Sequence, residues 1–387
     1  MGEFRFIHCA DLHLGARFRG VDTEDAAVLR RIRNAPLESF ERIVDLAISE
    51  RAAFMVVAGD LYDRGCLPAT RAFFSEQAER AGIPIFISRG NHDTERPWDA
   101  AMPYPDNVIT FATVPEAVRM TVDGTEVEIV GASYASKKEK RNLVSMMRGS
   151  ADAFTVACVH CDVEEVGEGH PNAVCRMSDF LGKDVDYWVL GHVHRRRVLR
   201  ESPHVVYSGN IQGRGSKESG PKGAYVVSAA DGEVSGIRFV PTQSMQWGSL
   251  AADATGLDMK GLAFALAAEA EDVDVAAVTL KGSGELMDLL ATDPAGFRKE
   301  LAGLVPFVLA RIDTTHVMDS DSETAARIRS AVASMDSEGR SAYIRAASGG
   351  DLESVRYDEI ASMTDKELRK SAGRAAAALI RMTGAGP

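Results

Sequence analysis

Phe54-Met55-Val56-Val57-Ala58 runs straight into Gly59-Asp60. Five apolar residues without a polar interruption read as a strand buried on both faces. The glycine lets the backbone turn sharply, and the carboxylate follows at the strand's end. The same pattern recurs on either side. Phe4–Ala10 is a short apolar run that stops at Asp11, and Pro84–Ser88 ends in Arg89-Gly90-Asn91-His92-Asp93. Helical spacing fills the gaps. In Pro36–Arg51 the residues Leu37, Phe40, Ile43, Val44, Ala47 and Ile48 share a face, and Ala69–Ala81 is closed by Gly82. This βαβαβ rhythm predicts a sheet with covering helices.

Further along, Ala117–Val122 and Glu126–Gly131 flank Asp123-Gly124, and Gly223–Ala229 and Glu233–Val240 flank Asp231-Gly232. Both are hairpin signals. Phe154–Val159 and Tyr187–Leu190 read as strands that run directly into histidines. The expectation is a sandwich-like α/β core over residues 1–246. Beyond Gln246 alanine becomes abundant. Leu257–Glu271 and Pro294–Leu304 read as helices, and Asp274–Lys281 and Phe307–Asp313 as strands. Residues 247–350 are therefore expected to form a smaller C-terminal α/β capping module. Ser322–Met335 and Lys366–Met382 read as further helices, the second within a helical tail over 351–387.

At 387 residues the chain is too long for one ordinary core. A hydrophobic content of 45% and a charged content of 26% fit a globular protein, and there is no run of 18 apolar residues to span a membrane. The first ten residues lack the basic and apolar regions of a secretory signal. Five cysteines, Cys9, Cys66, Cys158, Cys161 and Cys175, form an odd set that reads as free thiols in a reducing cytoplasm. The net charge of −12 weighs against nucleic acid as a partner, although a local basic rim can offset an acidic total.

Five short stretches concentrate unusual residues at the ends of apolar runs: Asp11-Leu12-His13, Gly59-Asp60, Gly90-Asn91-His92-Asp93, Val159-His160 and Gly191-His192-Val193-His194. Strand ends are where an α/β sheet places its ligand sites. Carboxylate, imidazole and amide oxygen together suit a divalent metal such as Mn²⁺, Fe²⁺ or Zn²⁺. Cys158 and Cys161 have the spacing of half a zinc site, but no second pair follows them. His8, His170, His204 and His316 read as core, loop or module residues outside the site.

The ordered set Asp11-x-His13, Gly59-Asp60-Leu61-Tyr62-Asp63, Gly90-Asn91-His92-Asp93, His160 and Gly191-His192-Val193-His194 resembles the calcineurin-like metallophosphoesterase superfamily. Asp11-Leu12-His13-Leu14-Gly15 and the chain length resemble its SbcD and YhaO branch of DNA-repair exonucleases. The resemblance implies a sandwich of β-sheets flanked by helices and two divalent ions, with Mn²⁺ foremost. It implies that Asp11, His13, Asp60 and His194 hold one ion and that Asp60, Asn91, His160 and His192 hold the other. His92 would act on the phosphate, oriented by Asp63. It further implies DNA as substrate, an SbcC-like SMC-type ATPase as partner, a homodimer and a cytoplasmic location.

Basic residues near the motif ends suggest a phosphate-gripping rim: Arg17 and Arg19, then Lys137, Lys138, Lys140 and Arg141, then Arg195, Arg196 and Arg197. Arg64 belongs with them, because Asp63-Arg64-Gly65 resembles the Asp-Arg-Gly of Ser/Thr phosphatases. That feature keeps a second reading open, a phosphatase or small-molecule phosphodiesterase on the same core.

Overall fold

The computed structural model describes residues 2–314 except 17, 19–20, 24, 64–66, 94–100 and 167–170. The expected helices at 322–335 and 366–382, the tail at 351–387, and the residues Arg17, Arg19, Arg64, Cys66, His170 and His316 lie outside the described residues. The described chain divides into two units. Among the described residues, the first comprises the chain up to Ser249 with Asp272–Ala277 and Phe307–Arg311, and the second comprises Leu250–Glu271 with Val278–Pro306 and 312–314.

Two six-stranded sheets make up the first unit. In the first sheet, β1 (Glu3–Cys9), β2 (Phe54–Ala58), β3 (Ile85–Ser88) and β4 (Val108–Thr110) lie side by side and parallel. The second sheet starts from the hairpin of β5 (Glu116–Val122) and β6 (Thr125–Ala132). It continues in parallel through β7 (Phe154–His160), β8 (Tyr187–Gly191) and β10 (His204–Tyr207), with β9 (Arg197–Glu201) antiparallel at the edge. The chain then returns to the first sheet, where β11 (Gly223–Ala230) and β12 (Glu233–Pro241) pair antiparallel beside β1. Both expected hairpins are present. Their turn residues Asp123, Gly124, Asp231 and Gly232 all have positive φ, as a two-residue hairpin turn demands.

The sheets bury a shared core. Phe6 stacks on Phe54 at 4.9 Å, and Tyr187 meets Phe6 edge-on at 5.4 Å. Phe86, Phe111, Ile129, Val156 and Val189 fill the same layer. Burying each such side chain stabilises the sandwich by about 1.5–3 kcal/mol. Helices α1 (Ala26–Ser49) and α2 (Pro68–Ala81) cover the outer face of the first sheet through Phe40, Ile43, Val44 and Phe74. The single turn α3 (Leu143–Met146) helps cover the second, with Phe180 and Trp188.

Helix α1 begins ten residues before the expected start at Pro36. The Asp25 carboxylate caps it by accepting from the N–H groups of Ala27 and Val28. Ile32 and Ala35 extend the apolar stripe onto Met245 and Trp247, so the helix continues through a buried Pro36. A third sheet consists of β13 (Trp247–Asp253), β14 (Val275–Lys281) and β15 (Val308–Thr314). The second unit contains the helices α4 (Met259–Glu269), α5 (Glu285–Thr292) and α6 (Pro294–Ala302).

Candidate metal centre

Parallel strands deliver their carboxyl ends to one edge. β1, β2 and β3 lead into Asp11, Asp60 and Asn91, while β7 and β8 end at His160 and Gly191-His192. β2 faces β7 and β8 across the sandwich, so the two rows of strand ends meet. Gly191 allows that approach, since a Cβ there would lie 1.8 Å from the Ala58 carbonyl oxygen. Gly90 allows it too, because a Cβ there would lie 2.4 Å from Asp60 Oδ1.

The backbone is strained where the chemistry sits. Asp11, His13, Asp60 and His192 have φ of 51°, 44°, 50° and 100°, a region that non-glycine residues rarely occupy. Each such residue costs about 1–3 kcal/mol and persists only where its surroundings impose it. Here they do: the N–H of Asp11 bonds to the Gly59 carbonyl, that of His13 to the Asp60 carbonyl, and that of His192 to the Asp11 carboxylate.

The side chains converge. Asp11, His13 and His194 bring one donor atom each within 4.8 Å of one another, as do Asp11, Asp60 and His160. Asp60 Oδ2 stands between the groups, 3.8 Å from His13 Nε2 and 3.7 Å from His160 Nε2. Asn91 Oδ1 lies 3.1 Å from His160 Nε2, and the His192 ring lies 5.1 Å from the His160 ring. All of the expected metal-site residues are thus in one cluster.

The donor set fits a divalent cation. His160 donates Nδ1–H to the Ala58 carbonyl, and His194 donates Nδ1–H to the Glu218 carboxylate at 2.7 Å. Both therefore present the Nε2 lone pair inward, with the other nitrogen fixed as a metal-binding imidazole requires. The His160 lone pair faces the Asn91 oxygen, another acceptor, and a cation between them would satisfy both. Burial holds His13 well below the ordinary histidine range, with Arg214 and the other imidazoles adding to the effect. Burial also lowers His160. Both rings are thus neutral and able to coordinate. Burial and the nearby Asp60 charge push the Asp11 carboxyl well up, a repulsion that a cation would relieve.

His92 belongs to a third donor group with His13 and Asp63, its ring 5.0 Å from that of His13. Its Nδ1 donates to Asp63 Oδ1 at 2.7 Å, and its backbone N–H donates to Asp60 Oδ1 at 2.8 Å. The ring lines the cleft above the cluster. Asp93, whose position in the motif carried no assigned role, accepts from the N–H groups of Gly90 and Tyr62 and ties the two loops together. Burial and the Asp60 charge raise its carboxyl to about 6.

The cleft, about 840 Å³, is lined by Lys137, Lys138, Arg195 and Arg196 from the expected basic rim. Lys140 is exposed and is not among the lining residues. Arg141 turns away from the cleft. Its guanidinium forms a two-pronged pair with the buried Glu139 and donates to the Thr113 carbonyl. Four residues that sequence reasoning passed over also belong here: Arg214, Lys217, Glu218 and Lys222 line the cleft. Glu218 accepts from His194, from Asn210 Nδ2 at 2.8 Å and from the Arg214 N–H at 2.9 Å. Burial alone would raise its carboxyl, but the His194 hydrogen bond and the Arg214 charge outweigh it and hold it at about 2. Lys222 Nζ donates to the His194 carbonyl at 2.9 Å.

The four described cysteines, Cys9, Cys158, Cys161 and Cys175, are buried free thiols. His8 is a core residue, with Nδ1 against the Tyr187 hydroxyl at 3.0 Å. Among the described residues no helix is long and apolar enough to cross a membrane.

Residues 4–196 match the Calcineurin-like phosphoesterase family, and the chain carries a metallophosphoesterase domain of that family. It is 34% identical to the uncharacterized metallophosphoesterase YhaO of Bacillus subtilis, over 65% of this chain and 64% of YhaO. It is also 25% identical to the DNA double-strand break repair protein Mre11 of Sulfurisphaera tokodaii, over 52% of this chain and 51% of Mre11. The chain thus spans half to somewhat under two thirds of the length of these homologous proteins. A dimetal phosphatase from Danio rerio aligns with 59% of this chain and 93% of its own, at a TM-score of 0.37 and 12% identity.

Proposed function

We propose that this protein is a metal-dependent nuclease that hydrolyses DNA phosphodiesters at a two-ion centre. The observation that carries the reading is the placement of one cluster of carboxylate, amide and imidazole donors at the floor of a cleft with lysines and arginines on its rim. Homology to a DNA double-strand break repair protein supports DNA over other phosphoesters.

Asp11, His13, Asp60 and His194 would hold one ion, and Asp60, Asn91, His160 and His192 the other. When bound, two such ions, Mn²⁺ foremost, would supply charge neutralisation for the phosphate. Lys137, Lys138 and Arg195 draw the phosphate backbone into the cleft. A carboxylate can only accept, so the 2.7 Å hydrogen bond to Asp63 fixes the His92 proton on Nδ1 and aims Nε2 at the cleft. As an imidazolium, His92 steadies the phosphate's growing charge and passes the Nε2 proton to the leaving oxygen.

Within DNA repair, the reading extends to an SbcC-like SMC-type ATPase docked on residues 351–387, a homodimer and a cytoplasmic location. Deleting 351–387 should abolish co-purification with the ATPase while cleavage of short DNA survives. The activity itself is tested by stripping the protein of metal and restoring Mn²⁺, Fe²⁺ or Zn²⁺ in turn. Hydrolysis of end-labelled DNA should return with metal, and its failure to return with any of the three would contradict the reading.

A further inference from the structure

The strand order of the second sheet places cationic groups on both sides of the histidine row. Reading along the edge where β6, β7, β8 and β10 end, the connections occur in the order 133–142, then from His160, then from His192 through Arg195, then 208–222. Lys137 and Lys138 stand on the first of these and are exposed. The last carries Arg214, Lys217 and Lys222, and it leaves the second sheet towards the first through the bridge between Asn210 and Ala10. His160, His192 and His194 lie between the two flanks.

The second flank is a built surface. Glu218 anchors it to His194 and to Asn210. Arg214 is held 3.7 Å from Glu218, and Lys222 is buried with its ammonium on the His194 carbonyl. Beside them, Arg196 lines the same cleft with its guanidinium over the Phe239 ring at 3.8 Å, which restricts its rotamers. Lys217 projects from this framework into solvent at the cleft. Of the charged groups on this segment, Glu218 is the acid facing the cleft, and its carboxylate is already engaged by His194, Asn210 and Arg214.

We propose that Arg196 and Lys217, supported by the Glu218-anchored segment, form a second phosphate-binding flank across the metal centre from Lys137 and Lys138. The preferred ligand is therefore a polynucleotide strand carrying phosphates on both sides of the bond to be cut. A phosphomonoester, or a diester with a single phosphate, would leave both flanks empty. This inference rests on the proposed nuclease activity and specifies how the strand crosses the site.

The test uses the full-length, metal-loaded protein and single-stranded oligonucleotides in which one linkage at a time is an uncharged methylphosphonate. The rate at each remaining bond is read from the products. A neutral linkage on either side of the cut bond should lower kcat/KM by about two- to fivefold, the size expected of an exposed charge pair. In Lys217→Ala, and separately in Arg196→Gln, sensitivity on one side should vanish while sensitivity on the other side persists. Sensitivity on one side alone in the wild type, or unchanged two-sided sensitivity in both variants, overturns the second flank and leaves the nuclease reading standing. No cleavage of any oligonucleotide by the metal-loaded protein overturns both.

Discussion

His92 donates its Nδ1–H to the Asp63 carboxylate across 2.7 Å while its backbone N–H rests on Asp60 Oδ1. One residue is thereby tied to the carboxylate between two donor groups, while its ring sits beside His13 in a third group with Asp63. His92→Ala should keep the bound metal and lose about 10²–10⁴-fold in kcat, the usual contribution of a general acid. Metal content of the purified variant, measured beside its turnover, separates this role from that of a ligand. Loss of metal would make His92 a ligand.

Asp60 Oδ2 lies 3.8 Å from His13 Nε2 and 3.7 Å from His160 Nε2. Asp60→Asn should therefore lower occupancy of both ions together. Elemental analysis reads this directly. A variant that retained two ions and normal turnover would remove Asp60 from the bridging position.

The salt dependence of DNA binding probes the first flank. Arg141 is committed to Glu139, so Lys137 and Lys138 are the groups to change. Replacing both with alanine should flatten the slope of log affinity against log salt by about 0.7–0.9 for each phosphate that a lysine no longer neutralises. An unchanged slope would return these lysines to ordinary surface.

Glu139 braces the loop that presents those lysines. It accepts from the N–H groups of Ala135 and Arg141 and from the Arg141 guanidinium. The Arg141 hydrogen bonds hold its carboxyl down at about 2, below the usual 4.5. A depressed folded value means that its stabilising contribution is present above about pH 4.5 and is lost as pH falls towards about 2. Glu139→Gln should unfold at lower urea than wild type near neutrality, and the gap should narrow as pH drops through that window. A gap that widened on acidification would contradict the ion pair.

Much of this site is legible in the chain because each strand declares its own end. Phe54–Ala58 before Gly59-Asp60, and Tyr187–Leu190 before Gly191-His192, place both the buried strand and the residue that follows it in one local pattern. Asp123-Gly124 and Asp231-Gly232 are equally local. The start of α1 is less visible, since Pro36 imitates a helix start and the side chains that carry the helix back to Ala26 are Met245 and Trp247, about two hundred residues away. Glu218 and Lys222 follow the same logic. They lie more than twenty residues from His194, and only the crossing of the chain from β10 to β11 brings them onto it. Arg141 shows the reverse. Its basic run suggests a rim, but a carboxylate two residues earlier captures the guanidinium.

The central claim is that this cleft cuts DNA backbone with metal bound. The most direct measurement is kcat/KM of the metal-loaded protein on end-labelled DNA against kcat/KM on p-nitrophenyl phosphate, each with and without chelator. The account predicts chelator-sensitive cleavage of DNA with kcat/KM well above that for the monoester. Equal or higher kcat/KM on the monoester, or DNA cleavage that survives complete chelation, would contradict it.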